Sequence, residues 1–179
     1  THIGVIPSEH NEKYEVMAKA CRELGEYGES VGAVFAIETG PETPEVLNDF
    51  LNDIGTKGIG VNYDPANLVM VTGSDPIAGV HTLTGKIVHT HAKDGIMKQQ
   101  TDPAIIYNFF AEGGIHDLRM EDYFAELPLG QGHVDLPAWV KALEQIGYTG
   151  FLTIEREVGA DPVSDIEMAV SYLKQLTEV

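Results

Sequence analysis

Cysteine is almost missing from this chain of 179 residues: Cys21 stands alone, which excludes an intramolecular disulfide. Its setting, YEVMAKACREL, is helix-forming, and a small buried hydrophobe is the expected role rather than a reactive thiol. Basic residues are also scarce, with 11 Lys and Arg against 28 Asp and Glu and a formal net charge of −17. Such a surface repels a phosphate backbone, whose binding needs several cationic contacts, so nucleic acid is not the expected partner. No run approaches the roughly 18 apolar residues of a membrane span. Nor does a charged segment followed by an apolar one open the chain. No membrane partner and a cytoplasmic location are the resulting expectations. What is present, 43% hydrophobic and 22% charged residues, is ordinary for one globular domain.

Hydrophobic periodicity alternates between helix and strand. Tyr14, Met17, Ala18, Cys21 and Leu24 have helical spacing and predict a helix over about 11–30, followed by an apolar strand, VGAVFAIE, over 31–38. Thr43-Pro44-Glu45 combines a cap residue, Pro at the first helical position and an acid in the first turn, and predicts a helix to about Ile54. IGVNYD, 59–64, reads as the next strand. The same start signal recurs at Ser74-Asp75-Pro76, Asp135-Leu136-Pro137 and Asp161-Pro162, while KIVHTH (86–91) and GFLTIE (150–155) supply two more strands. Strands rich in Val and Ile alternating with helices imply a parallel sheet covered by helices, either doubly wound or a (β/α) barrel. Right-handed crossovers then place every strand's C-terminal end on one face. The interval from His91 to Leu136 breaks the rhythm. It is expected to be a surface excursion with a short helix over 104–111, part of it covering an active site.

Each strand ends on a group that can bind a cation: Glu38 in FAIETG, Asp64 in VNYDPAN, His91 in VHTHAKD and Glu155 in LTIERE. An acid at a strand end often caps the next helix or sits in water. Four such groups on consecutive strands, converging where parallel folds place their chemistry, point elsewhere. Three carboxylates together raise one another's pKa unless a cation lies among them. Oxygen donors with one imidazole suit manganese (Mn²⁺) best, with Mg²⁺, Co²⁺ or Zn²⁺ as alternatives, and exclude a Cys-rich structural zinc. His89 faces the same way as His91 and reads as a second ligand, a hydrogen-bonded core residue or a substrate contact. His2, His10, His81, His116 and His133 have no comparable context and are expected in loops or on the surface.

At these residues the chain resembles the xylose isomerase-like TIM-barrel superfamily, specifically its sugar phosphate isomerase/epimerase members. AIETG, VNYDPANL, VHTHAKD, LPLGQGHVDLPAWVKAL and GYTGFLTIERE carry the resemblance, which spans nearly the whole chain. It implies an α/β fold, a partial (β/α)₈ barrel made of approximately strands 4 to 8 with their helices, and residues 1–179 as the C-terminal portion of one such barrel. A whole barrel takes about 250 residues. THIGVIP resembles the end of strand four, so strands one to three are expected to lie outside this sequence, and a fragment is expected in preference to two copies completing one another. Such a piece would expose sheet edges and barrel interior. In the superfamily the ends of strands five to eight supply Glu, Asp, His and Glu to one divalent ion, here Glu38, Asp64, His91 and Glu155.

The implied chemistry is isomerisation or epimerisation of a small-molecule sugar or sugar phosphate by proton transfer through an enediolate, with Glu38 and Glu155 as both ligands and acid/base groups. Asn67, His89, Lys93 and Arg156 are the substrate-binding candidates, although Arg156 equally suits a structural ion pair with a neighbouring acid. Asp94 is a further candidate, and the backbone N–H groups of Gly130-Gln131-Gly132 could serve an anion, although a lone GxG is usually only a turn. Ketose 3-epimerases of this superfamily often carry His at the position of Asn67 and Arg near Met97, and neither is present. A keto-inositol (inosose) dehydratase and a barrel piece with only a structural metal are the alternatives. An abasic-site endonuclease is disfavoured by Asn67 and by the charge of −17. Homo-oligomerisation, common in the superfamily, is a further expectation from the resemblance.

Overall fold

The computed structural model describes residues 1–111, 113–114 and 117–177; His116 lies outside the described residues. Side-chain caps set where the helices begin. In α1 (Glu12–Val31) Asn11 accepts from Tyr14 N at 3.0 Å, and Gly32, at φ 70°, ends the helix in the left-handed conformation that a Cβ disfavours. Because Val31 completes that helix, the strand expected over 31–38 begins later, as β1 (Phe35–Glu38). The order continues with α2 (Pro44–Ile54), β2 (Ile59–Tyr63), the single turn α3 (Pro65–Asn67), a π-helical turn (Leu68–Thr72) and α4 (Pro76–Thr82). It is completed by β3 (Ile87–Ala92), β4 (Asp94–Met97), α5 (Pro103–Ala111), β5 (Phe124–Leu127), α6 (Leu136–Gln145), β6 (Leu152–Ile154) and α7 (Pro162–Leu176). Thr43, Asp75, Asp135 and Asp161 each accept from a backbone N–H of the helix they open, and in each of these helices Pro stands in the first turn.

The strands β1, β2, β3 and β6 form one parallel sheet in that order, the arrangement of a partial (β/α)₈ barrel. Its register alternates two faces. Ile37, Val61, Tyr63, Thr90 and Ala92, all buried, point to the helix layer, where Leu47, Phe50, Leu83, Leu136 and Trp139 complete the core. Glu38, Asn62, His89, His91 and Thr153 share the other, inner face, and the pairings Glu38↔Asn62, Asn62↔His89 and His91↔Thr153 align them across the sheet.

THIGVIP does not form a strand. Thr1 alone lies along the outer edge of β1, donating its amino group to Ala36 O and accepting from Glu38 N, both at 2.9 Å. The excursion between His91 and Leu136 contains the expected short helix as α5. It also contains an antiparallel ribbon absent from the sequence reading, β4 paired with β5 in the register Asp94↔Leu127 to Met97↔Phe124.

Candidate metal centre

Local chain chemistry aims each donor. Asp64 follows β2 directly and caps α3, its Oδ1 accepting from Ala66 N at 2.8 Å and Asn67 N at 3.0 Å. The cap and ligand roles therefore divide between its two oxygens, because Oδ2 is buried with no hydrogen-bond partner. Thr39 ties β1 to the same point, its hydroxyl donating to Asp64 O and accepting from Asp64 N, both at 2.8 Å. His91 comes from the end of β3 and Glu155 from the residue after β6. His91 Nδ1 lies 3.2 Å from Glu155 Oε2, 3.5 Å from Glu38 Oε1 and 3.7 Å from Asp64 Oδ2. Each of the four side chains offers one atom, and all four atoms lie within 4.8 Å of one another.

A single proton on Nδ1 cannot satisfy three oxygens in different directions, and His91 Nδ1, like Asp64 Oδ2, is buried without a hydrogen-bond partner. A divalent ion, held at about 2.0 to 2.6 Å by such donors, can. The electrostatics ask for the same charge. Burial pushes Asp64 above its usual range. Burial lowers His91, but the carboxylates of Asp64, Glu155 and Glu38 outweigh it and raise the imidazole to about 11. Burial raises Glu38 and Glu155, yet His91 with His2 keeps the first below the ordinary carboxylate range, and His91 with Lys93 brings the second down to about 2.

The other expected site residues divide. His89 lies on the inner face, edge-on to His91 with ring centroids 5.9 Å apart, its Nε2 2.9 Å from Thr153 Oγ1. Asn67 donates to Glu38 Oε1 at 3.1 Å and to Thr39 O at 3.2 Å, so its amide holds a carboxylate of the cluster. Lys93 is nearly enclosed. Its Nζ lies 2.9 Å from Glu155 Oε2, 3.6 Å from Glu126 Oε2 and 3.9 Å from Asp64 Oδ2, and also contacts Glu157. Arg156 donates at 2.7 Å to both Glu126 and Asp165, the structural ion pairing that its sequence position equally allowed. The Gly130–Gly132 turn does bind an anion, but the anion is Asp94, which accepts from the backbone nitrogens of Gly95, Gly130, Gly132 and Val134. Asp94 is thereby taken from the substrate-contact candidates.

Three contacts went unseen in the sequence. Asn62 Nδ2 stands 3.1 Å from His91 Nε2 and 3.4 Å from Glu38 Oε2. With Nδ1 turned toward the carboxylates, Nε2 is left to face the Asn62 side-chain amide. His2 is exposed in a loop as expected, yet it brings Nε2 to 3.4 Å from Glu38 Oε1, and Tyr107 of α5 packs edge-on against it. Glu126 of β5, which belongs to no motif, pairs with Lys93 and Arg156. The alternation of inward residues could have singled out Asn62; no sequence signal marks the other two.

Residues 1–176 match the family described as xylose isomerase-like TIM barrel. The chain belongs to this family. A crystal structure of a xylose isomerase domain protein from Planctomyces limnophilus superposes with TM-score 0.80 at 29% identity, over 98% of this chain and 57% of that one. A D-tagatose 3-epimerase-like protein shares the fold at TM-score 0.66 and 24% identity, over 99% and 62% of the two chains. An inosose dehydratase of Lacticaseibacillus casei is 23% identical over 171 residues, 93% of this chain and 54% of the relative. The chain spans about half the length of the curated relatives it matches. Family membership makes β1, β2, β3 and β6 neighbouring strands of a xylose isomerase-like barrel, and the Glu38, Asp64, His91 and Glu155 cluster lies at their C-terminal ends, where barrels carry their chemistry. No helix among the described residues is long and apolar enough to cross a membrane.

Proposed function

We propose that this xylose isomerase-like chain carries the metal centre of a sugar or sugar-phosphate isomerase/epimerase, with Glu38, Asp64, His91 and Glu155 holding one divalent ion, Mn²⁺ by preference. The observation that carries the reading is the pair of orphaned buried atoms, Asp64 Oδ2 and His91 Nδ1, facing two more carboxylate oxygens. When bound, the ion supplies Lewis acidity toward the carbonyl and hydroxyl oxygens of a sugar. The protein's own groups handle the proton. Glu155 is proposed to take it from the carbon beside the substrate carbonyl, leaving an enediolate, and Glu38, having taken up a proton from solvent, to return one on the opposite face while Glu155 releases its own to solvent, so that no proton is gained or lost over the cycle. His89, on the inner face beside His91, is the proposed substrate contact, while Asn67 and Lys93 act on the carboxylates.

A second reading, dehydration of a keto-inositol, is favoured by the similarity to an inosose dehydratase and begins with the same proton removal before a hydroxyl leaves. Purified protein carrying Glu155→Gln, compared with the unaltered protein over a panel of ketoses, sugar phosphates and inosose, tests both. Loss of turnover by at least about 100-fold with only partial loss of metal is the expected result. Products that differ from substrate by one water select the dehydratase. An unchanged rate removes Glu155 from the mechanism.

A further inference from the structure

We propose that Glu126 is a positioning residue for the metal centre, acting through Lys93 on Glu155; this rests on the metal reading above. Glu126 sits on β5 opposite Gly95, next to the Lys93-Asp94 step that leads out of β3. Its two oxygens do different work. Oε1 accepts from Arg156 Nη1 at 2.7 Å, Glu157 N at 3.0 Å and Val158 N at 3.4 Å, fastening the segment that follows Glu155. Oε2 faces Lys93 Nζ at 3.6 Å.

Lys93 is the link to the metal. Its ammonium lies 2.9 Å from Glu155 Oε2, the same oxygen that stands 3.2 Å from His91 Nδ1. An ammonium so close competes with a metal ion for that oxygen's lone pairs, so where Lys93 is held decides how freely Glu155 can coordinate. The Lys93 and Glu126 side chains are only 4% and 6% exposed, so water screens the pair weakly. Among the described carboxylates around Lys93, Asp64 and Glu155 belong to the proposed metal set, and Glu157 is 63% exposed. Glu126 is thus the buried carboxylate outside that set that can hold Lys93 when a metal ion displaces the ammonium from Glu155 Oε2. Without its charge, Lys93 stays on Glu155 and blocks coordination.

The experiment is a Co²⁺ titration of the purified protein, read by visible absorption without substrate. Glu126→Gln keeps the shape and removes the charge. Co²⁺ affinity is expected to fall about 10- to 100-fold, the usual effect of losing a partner behind a metal ligand, with a shifted cobalt band as Glu155 leaves the ion. In a Lys93→Met background the same change is expected to alter affinity less than about twofold, because the two residues act as one unit. Equal affinity and spectrum in the unaltered protein and Glu126→Gln overturn the proposal. So does an undiminished loss in the Lys93→Met background, which would place the effect in the Arg156–Val158 segment. If Glu126→Gln does not fold, Glu126→Asp, which sets the charge back by one methylene, should show a smaller loss in the same direction, and native affinity there counts against the proposal. Absence of Co²⁺ binding by the unaltered protein removes the metal reading itself, a result distinct from these.

Discussion

Replacing Asp94 with Asn removes one of two acceptor oxygens from a carboxylate that is 1% exposed and receives four backbone N–H groups. Oδ1 takes Gly95 N at 2.8 Å and Val134 N at 3.1 Å, and Oδ2 takes Gly130 N at 3.0 Å and Gly132 N at 2.8 Å. An amide keeps one pair and turns an NH₂ group against the other. Hydrogen bonds to a charged acceptor contribute about 1.5 to 3 kcal/mol each, so two lost bonds cost about 3 to 6 kcal/mol. The side chain will turn its nitrogen toward Gly130 and Gly132, which water reaches, rather than toward Gly95 and Val134, which are buried. That choice sets the expected loss at the lower end, about 3 kcal/mol, a large share of the roughly 5 to 15 kcal/mol that a domain has. Urea unfolding followed by fluorescence of Trp139, the sole tryptophan, reads it, because that residue is fully buried in the helix that follows this turn. A loss below about 1 kcal/mol would mean that the four contacts do not hold the ribbon to the α6 entry, and the account of the glycine turn would fail.

Glu42 gives a pH dependence. Burial pushes its carboxyl from an ordinary 4.5 up to about 8, only partly offset by the backbone N–H groups of Ile6 and of Glu42 itself. The folded chain then keeps this proton to higher pH than the unfolded chain does, so the associated stability is whole below pH 4.5 and is lost as pH rises through about 8. The slope approaches about 1.4 kcal/mol per pH unit between those limits. Glu42→Gln should flatten urea-derived stability across this window, and an unchanged slope would assign it to other groups. Phe50→Ala, at a side chain with 0% exposure whose ring meets Tyr14 edge-on at 5.3 Å, should destabilise by about 3 to 5 kcal/mol in the same assay. A cost under about 1 kcal/mol there would show that the helix layer refills the space.

Much of this was legible in the chain because its causes are local. Thr43, Asp75, Asp135 and Asp161 cap helices through N–H groups two or three residues away, so each start could be read from its own tripeptide. Glu38, Asp64, His91 and Glu155 could be found because each ends an apolar strand, and parallel connections bring those ends to one face. The β4–β5 ribbon was not legible. Its strands are separated by α5, and neither alternates clearly enough to reveal a partner that distant. For the same reason the sequence left the glycine turn open between an anion site and a plain turn, when the carboxylate that fills it comes from Asp94 in the first ribbon strand.

The amino-acid order by itself determined the α/β class, the capped helices and the residue types gathered at the strand ends, since periodicity and capping act over a few residues. Only the tertiary structure decided what those groups do to one another. It left Asp64 Oδ2 and His91 Nδ1 without partners, set Asn67 on Glu38, and enclosed Lys93 among four acids from three separate segments. Such charge contacts vary with distance and burial, and neither can be computed from spacing along a chain.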